Sequence, residues 1–327
     1  VTRATTELSG VILVDKPVGP TSFDVVRAVK RALKAKSAGH TGTLDPNASG
    51  LLPVCVGDAT RIASFVTDGD KTYEGLIRFG VTTNTLDAEG EVLETRECGH
   101  LTQSAVEQAI STVLGPQDQA APMFSARRVG GRRLHELARE GIEVEREARQ
   151  ITVHEAQLLS WTLPDALVRF HVSKGTYIRV LAERLGELLD VGAHLAALRR
   201  TKSGHLSVSQ ALPLTEIEAL AGSDADGLKG RLLTTDEVLL GLPYLHVRLD
   251  ERGAAAVSFG NPVEASTLRQ LNLPGLDPGS RTLLIDPAGA VVAVGEFDGT
   301  GRIRLVRVLR SQVGPGNYRG RKDENRP

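Results

Sequence analysis

At 327 residues, with 41% hydrophobic and 24% charged residues, the chain is long enough for about two domains with sizeable cores and has the balance of a soluble globular protein. No apolar run approaches the ~20 residues of a membrane span, and Val1-Thr2-Arg3-Ala4-Thr5-Thr6-Glu7 lacks the apolar core of a signal peptide, so export is not expected. The two cysteines, Cys55 and Cys98, stand in unlike contexts with no C-x-x-C, which argues against a disulfide framework or zinc site and fits a reducing cytoplasm.

Val11-Ile12-Leu13-Val14 reads as a buried strand ending at Lys16-Pro17. Thr21-Ser22 supplies a helix N-cap, after which Val25, Val26, Val29 and Leu33 recur at helical spacing opposite a basic face. Gly39-His40-Thr41-Gly42-Thr43-Leu44-Asp45-Pro46 then forms a loop before a strand over Leu51–Val56 that buries Cys55. Thr72–Phe79 alternates as a half-buried strand, with Tyr73, Gly75, Ile77 and Phe79 on one face. Ser104-x-x-Glu107 reads as a capping box opening a helix with Val106, Ile110, Val113 and Leu114. Residues 115–150 form a long excursion rich in Gly and Arg, with one short helix from Leu134 to Glu140 ended by Gly141; long excursions in compact domains are usually functional or disordered. Strand patterns resume at Ile151–Val153 and at Val168, Phe170 and Val172, and Ile178, Leu181, Ala182, Leu185 and Leu189 mark an amphipathic helix.

A Pro- and Gly-containing junction at Gly241–Tyr244 divides a domain over 1–243 from a small β-rich unit over 244–313. Its strands are expected at Leu245–Leu249, Thr282–Ile285, Val291–Val294 and Ile303–Val308, with Pro287-Ala288-Gly289 as a hairpin turn. Residues 314–327 read as a mobile basic tail.

The formal net charge of −1 hides a segregation of charge. Lys16, Arg27, Lys30, Arg31, Lys34 and Lys36 face Asp24 alone in one segment; Arg127, Arg128, Arg132 and Arg133 form a second cluster; Arg199, Arg200 and Lys202 form a third; Arg302, Arg304, Arg307 and Arg310 begin a fourth. Acid gathers elsewhere, at Asp87, Glu89, Glu91, Glu94 and Glu97 and again at Glu216 and Glu218. Each basic cluster alone is an ordinary solvated surface, whereas several together favour a polyanion partner.

The Asp45 loop is the densest chemical signal. Glycine at 39 and 42 admits conformations closed to other residues, and Pro46 biases Asp45 towards an extended backbone, so the carboxylate is presented rather than left to sample solvent. On its own such an Asp also reads as an Asx turn or a helix cap. Likewise Tyr73 reads as a core residue, Lys16 as a strand end, and Tyr177 and Arg179 as packing and solvated charge at a helix start.

Taken in order, Lys16-Pro17-Val18-Gly19-Pro20-Thr21-Ser22, the Asp45 run, Lys71-Thr72-Tyr73, Gly175-Thr176-Tyr177-Ile178-Arg179 and Leu198-Arg199-Arg200-Thr201 resemble the TruB family of tRNA pseudouridine synthases, over nearly the whole chain. The resemblance implies an α+β pseudouridine synthase fold, with a central mixed, largely antiparallel sheet flanked by helices and loops, and a C-terminal PUA-like RNA-binding domain. It implies isomerisation of uridine 55 in the T-arm loop of tRNA by a stand-alone, cytoplasmic, monomeric enzyme that needs no cofactor and no metal. It assigns Asp45, Tyr73 and Arg179 to catalysis and Tyr177 and Leu198 to the wall of the base pocket. His40, Lys16, Arg127, Arg128, Arg132, Arg133, Arg199 and Arg200 are assigned to RNA, with His40 also readable as a loop histidine bonding backbone. The segment Ala121-Pro122-Met123-Phe124-Ser125-Ala126-Arg127 is similar to the family's RNA-gripping insertion, but carries Phe124 where Tyr is common and Gly130-Gly131 where Asn-Gly is common; Ser49 replaces a usual Thr.

The chemistry is coherent on these residues. A single carboxylate can serve as nucleophile or stabilise an oxocarbenium-like ribose, and an arginine partner keeps it ionised and aimed. A tyrosine offers a stacking face and a phenol for proton transfer. Alternatives are a guide-RNA-dependent synthase, expected to lack the long basic insertion, a catalytically silent tRNA-binding or folding protein, and a metal-dependent hydrolase, for which the spacing of His and Asp is unsuited.

Overall fold

A computed structural model describes residues 8–125, 127–142, 144–263 and 277–309. The expected tail over 314–327 lies outside the described residues. Contacts divide the chain into two units, with the boundary between Leu233 and Thr234. This precedes the expected Gly241–Tyr244 junction. Leu233 exchanges both backbone hydrogen bonds with Val11 at 2.8 Å. Thr234 instead caps the helix Thr235–Leu240, in a capping box with Glu237.

In the first unit, β1 (Gly10–Lys16) leads to α1 (Ser22–Ala32), whose N-cap Thr21 and Asp24 form a reciprocal capping box. The short β2 (Ala38–His40) and the Asp45 loop follow, then β3 (Ala48–Val56), β4 (Lys71–Phe79) and a hairpin of β5 (Val81–Thr83) and β6 (Val92–Thr95). Next come α2 (Gln103–Thr112), β7 (Gly115–Gln119) and α3 (Leu134–Arg139). The cap of α2 is Thr102, whose hydroxyl accepts the Ala105 N–H at 3.3 Å. The N-cap therefore lies two residues before Ser104, which sits inside the first turn, and with Ala105 at the third helical position the expected capping box does not form.

The unit continues with β8 (Arg149–Thr162), β9 (Asp165–Val172), α4 (Ile178–Leu188), β10 (Ala193–Ser203), β11 (Leu212–Pro213) and α5 (Leu214–Ser223). The main sheet runs β11-β1-β3-β10-β4-β9-β8-β7, with β2 beside β3 and Leu206–Ser207 beside β10. The β1–β11 and β3–β10 pairs are parallel and the rest antiparallel. The first residues of the expected excursion are thus a strand of the main sheet, β7, whose Gly-Pro-Gln-Asp-Gln sequence has no strand pattern; pairing with β8 supplies what propensity does not.

Two cores position the site. Ile77, Phe79 and Phe170 from the sheet pack with Val106 and Ile110 of α2 and Leu181 and Leu185 of α4. Val14, Leu52 and Val54 pack with Val25 and Val29 of α1 and Ile217 of α5. Tyr73 and Leu198 pack, partly buried, against both cores.

The second unit has a four-stranded sheet in the order β12 (Leu245–Arg248), β13 (Arg281–Ile285), β14 (Val291–Phe297) and β15 (Ile303–Val308). Its first pair is parallel and the others antiparallel. The helix Glu251–Ser258 contributes Val257 to a core with Val247, Leu284, Ala293 and Ile303.

Candidate active site

Asp45 lies in the loop between β2 and β3, and four separate groups hold that loop. The fully buried Lys16 at the end of β1 donates from Nζ to the carbonyls of Ala48 at 2.7 Å, Pro17 at 2.9 Å and Pro46 at 3.2 Å. Ser22, the first residue of α1, donates to the Leu44 carbonyl at 2.9 Å and accepts the Leu44 N–H at 2.8 Å. The Gly19 N–H donates to the Pro46 carbonyl at 2.8 Å. Arg200 of β10, 1% exposed, donates from Nε to Leu51 O at 2.7 Å and from Nη2 to Gly42 O at 3.1 Å. Gly42 has φ +131°, a conformation only glycine adopts readily, whereas Gly39 needs no such freedom.

Lys16 and Arg200, expected at the RNA surface, are therefore interior supports of the Asp45 loop. Carbonyls that the loop turns inward need donors, and two long cations supply them. Burial lowers the pKa of Lys16, opposed by the charge of Asp45.

The carboxylate of Asp45, 49% exposed, meets Arg179 of α4, with Nη2 3.0 Å from Oδ2. Arg179 is only 8% exposed and uses Nη1 to reach Asp87 Oδ2 at 3.1 Å and Thr85 O at 3.3 Å. Asp87, in the β5–β6 hairpin loop, is also 8% exposed. Its Oδ1 accepts the Thr85 hydroxyl at 2.6 Å and the Glu89 N–H at 3.1 Å. Sequence reasoning placed Asp87 among acid gathered apart from the basic clusters. It is instead the buried second carboxylate of the arginine, and its run of acid and turn residues carries no local signal of that.

These groups open onto a cleft of about 830 Å³ lined by Asp45, Tyr73, Asp87, Tyr177, Arg179 and Leu198, with Lys71, Gln119, Arg127, Arg149, Lys174 and Arg200 also in its wall. Register explains the convergence. Tyr73 of β4 pairs with Arg200 of β10 and with Phe170 of β9, and Leu198 pairs with Ala48, three residues past Asp45, and with Gly75. Tyr177 is the N-cap of α4. Lys71, beside Tyr73, donates from Nζ to the carbonyls of Thr67 and Gly69, and burial lowers its pKa to about 8.

The remaining expected RNA contacts are dispersed. His40, half-buried, accepts the Gly42 N–H on Nδ1 at 3.2 Å, and desolvation lowers its pKa. That bond matches the loop-histidine reading of the sequence. Arg199 forms a two-pronged pair with Asp15 at 2.7 and 3.0 Å. Arg127 donates to Glu147 O at 3.2 Å, and Arg132 pairs with Glu140. Arg128 and Arg133 occupy paired positions of a two-residue hairpin around Gly130-Gly131. Both cysteines are free, and burial pushes the Cys55 thiol up to about 12. Among the described residues no group of three or more His, Cys, Asp or Glu is placed to hold a metal, and no helix is long and apolar enough to cross a membrane.

The family model for the N-terminal domain of TruB family pseudouridylate synthases matches residues 30–178, and that for the tRNA pseudouridylate synthase B C-terminal domain matches residues 179–240. A protein of Saccharophagus degradans named tRNA pseudouridine synthase B is 42% identical over 306 residues, covering 92% of this chain and 96% of that protein. One of Symbiobacterium thermophilum with the same name is 47% identical over 261 residues, covering 79% and 84%. Among solved structures, a chain of a Cbf5-Nop10-Gar1 complex matches at 25% identity with a TM-score of 0.71, covering 92% of this chain and 85% of that one. A chain of an archaeal box H/ACA sRNP Nop10-Cbf5 complex shares the fold at 24% identity and a TM-score of 0.69, covering 93% and 87%. With this sequence similarity running through the strands and loops that carry Asp45, Tyr73 and Arg179, the chain belongs to the TruB family of pseudouridylate synthases.

Proposed function

We propose that this protein isomerises uridine to pseudouridine in tRNA, at position 55 of the T-arm loop, with Asp45 as the nucleophile. The observation that carries the reading is the ion pair of a half-exposed Asp45 with a nearly buried Arg179, at the wall of a cleft that Tyr73 shares.

The target base is flipped out of its stack, which costs a few kcal/mol; a base–aromatic stack on Tyr73 returns ~1–3 kcal/mol and phosphate contacts supply the rest. Asp45 attacks either ribose C1′ or the base. On both routes N1–C1′ breaks and C5–C1′ forms, the proton on C5 leaves and N1 gains one, so the product is an isomer and no electrons are exchanged. Arg179 aims the carboxylate through the 3.0 Å pair, and the Tyr73 phenol is placed to carry a proton. Tyr177 and Leu198 bound the base pocket. Arg127, Arg149 and Lys174 along the cleft are the phosphate contacts.

The basic segment between β7 and β8 is the RNA grip, and the four-stranded unit is a PUA-like domain that holds tRNA away from the reacting base. The enzyme works as a stand-alone monomer in the cytoplasm. Identity of 42–47% to proteins named for tRNA, against 25% to a chain from a Cbf5-Nop10-Gar1 complex, favours this over guide-RNA dependence.

The test is to mix the purified protein with an unmodified tRNA transcript, with no other RNA or protein, and map pseudouridine by nucleotide. Modification of the T-arm uridine is expected. No product, or product only with an added guide RNA, overturns the reading.

A further inference from the structure

The helix that delivers Arg179 begins without a side-chain cap of its own. Tyr177 occupies the N-cap of α4 with φ −97° and ψ 109°, and its side chain makes no capping hydrogen bond. The turn before it is set by Gly175 at φ +82° and by the Thr176 hydroxyl donating to Ser173 O at 2.9 Å. The backbone at Tyr177 is fixed from elsewhere, by Gln119 at the end of β7. Gln119 Oε1 accepts the Tyr177 N–H at 2.7 Å, and Gln119 Nε2 donates to Tyr177 O at 3.2 Å. Gln119 is only 7% exposed. A peptide N–H and a carbonyl have fixed polarity, so both ends of the amide are specified and the side chain acts as one rung of a strand pairing.

We propose that Gln119 is a positioning residue for the pseudouridine reaction: its amide fixes the first turn of α4, and through it the Tyr177 ring and the Arg179 guanidinium that aims Asp45. This rests on the function proposed above. Arg179 follows Tyr177 by two residues, and its guanidinium must meet Asp45 and Asp87 at 3.0 and 3.1 Å together. A rotation of the first turn breaks that fork. Gln119 also ends the strand after which the basic excursion leaves the sheet, so the root of that excursion and the start of the catalytic helix are fastened at one point.

The chemistry of the pair supplies a test that a merely structural role does not pass. Gln119→Met keeps the size and loses both bonds. Gln119→Glu keeps the acceptor, but when ionised it lacks the donor and sets a charge against Tyr177 O. When protonated, its carbonyl accepts the N–H and its O–H donates to Tyr177 O, restoring both bonds. Single-turnover rates at saturating tRNA are measured for the three proteins between pH 5.5 and 8.5 (roughly the range around a buried carboxyl), with tRNA affinity and thermal unfolding followed in parallel.

The expected result is a loss of about 10²-fold for Gln119→Met at every pH, with affinity nearly unchanged. The ratio of Gln119→Glu to wild type should climb as pH falls, because taking the ratio cancels pH effects common to both proteins. Rates within about twofold of wild type for both variants, a loss confined to affinity, a pH-independent Glu ratio, or a loss that follows the unfolded fraction would each overturn the inference. If the wild-type protein itself makes no pseudouridine, it is the proposed function that fails.

Discussion

Arg179 Nη2 stands 3.0 Å from Asp45 Oδ2, and the two partners differ in setting: the arginine side chain is 8% exposed and the aspartate 49%. The cation is anchored inside the protein while the carboxylate it aims faces the cleft. Such a pair gives little stability by itself, since the exposed partner keeps much of its hydration. Its use is orientation, holding one carboxylate oxygen while the rest of the group meets substrate.

Asp45→Asn should therefore abolish the reaction without abolishing binding. The amide keeps the shape but is not a nucleophile, so the single-turnover rate should fall at least about 10³-fold while tRNA affinity stays within about threefold. Substantial pseudouridine from the variant in a nucleotide-resolved assay removes Asp45 from the mechanism.

Asp87→Asn tests the buried half of the network. Arg179 loses its interior counter-charge, and breaking a buried pair by altering one partner costs about 3 kcal/mol. A lower midpoint of denaturant unfolding is expected together with a slower chemical step, because the freed guanidinium no longer holds its fork. A variant of unchanged stability and rate would show that Asp45 alone suffices to place Arg179.

Tyr73→Phe separates the ring from the phenol. The ring keeps its contacts with both cores. If the hydroxyl carries a proton, the single-turnover rate falls about 10²-fold with unaltered affinity. A near-wild-type rate reduces Tyr73 to a stacking platform.

Lys71 gives a pH signature. Burial holds its folded pKa at about 8, below the ordinary lysine value of 10.5. Between those values the unfolded chain binds more protons than the native one, so its contribution to stability rises as pH climbs from about 8 towards 10.5 and is lost as pH falls back through 8. The difference in unfolding free energy between wild type and Lys71→Met should therefore shift in favour of wild type over that window. A difference that stays flat from pH 7 to 10.5 (roughly the titration range of a lysine) would mean that Lys71 is not desolvated.

RNA binding should be salt-dependent despite the near-neutral total charge. The logarithm of affinity is expected to fall linearly with the logarithm of salt, by about 0.7–0.9 per phosphate neutralised. Replacing Arg127 and Arg149, both in the cleft wall, with alanine should make that slope shallower. A wild-type slope near zero would detach the basic residues from RNA.

The sequence by itself determined those features that are local or periodic. Alternation placed Tyr73 on a strand, 3.6-residue spacing placed the helices Ser22–Ala32 and Ile178–Leu188, and the loop run carried Asp45 together with the family resemblance. Tertiary structure alone decided partnerships between residues far apart in the chain. Lys16 and Arg200 read as surface cations, because charge in a one-dimensional string is presumed solvated; folding turns loop carbonyls inward, and these two cations satisfy them. Asp87 and Gln119 sit in segments with turn-like and polar composition, and their use is set by Arg179 and Tyr177, about 60 to 90 residues further along the chain. The two backbone bonds between Leu233 and Val11 likewise join residues far apart in the chain. Propensity and periodicity record what a segment does with its neighbours. A buried hydrogen bond or ion pair is chosen by whichever distant group arrives, and that is a property of the packed chain.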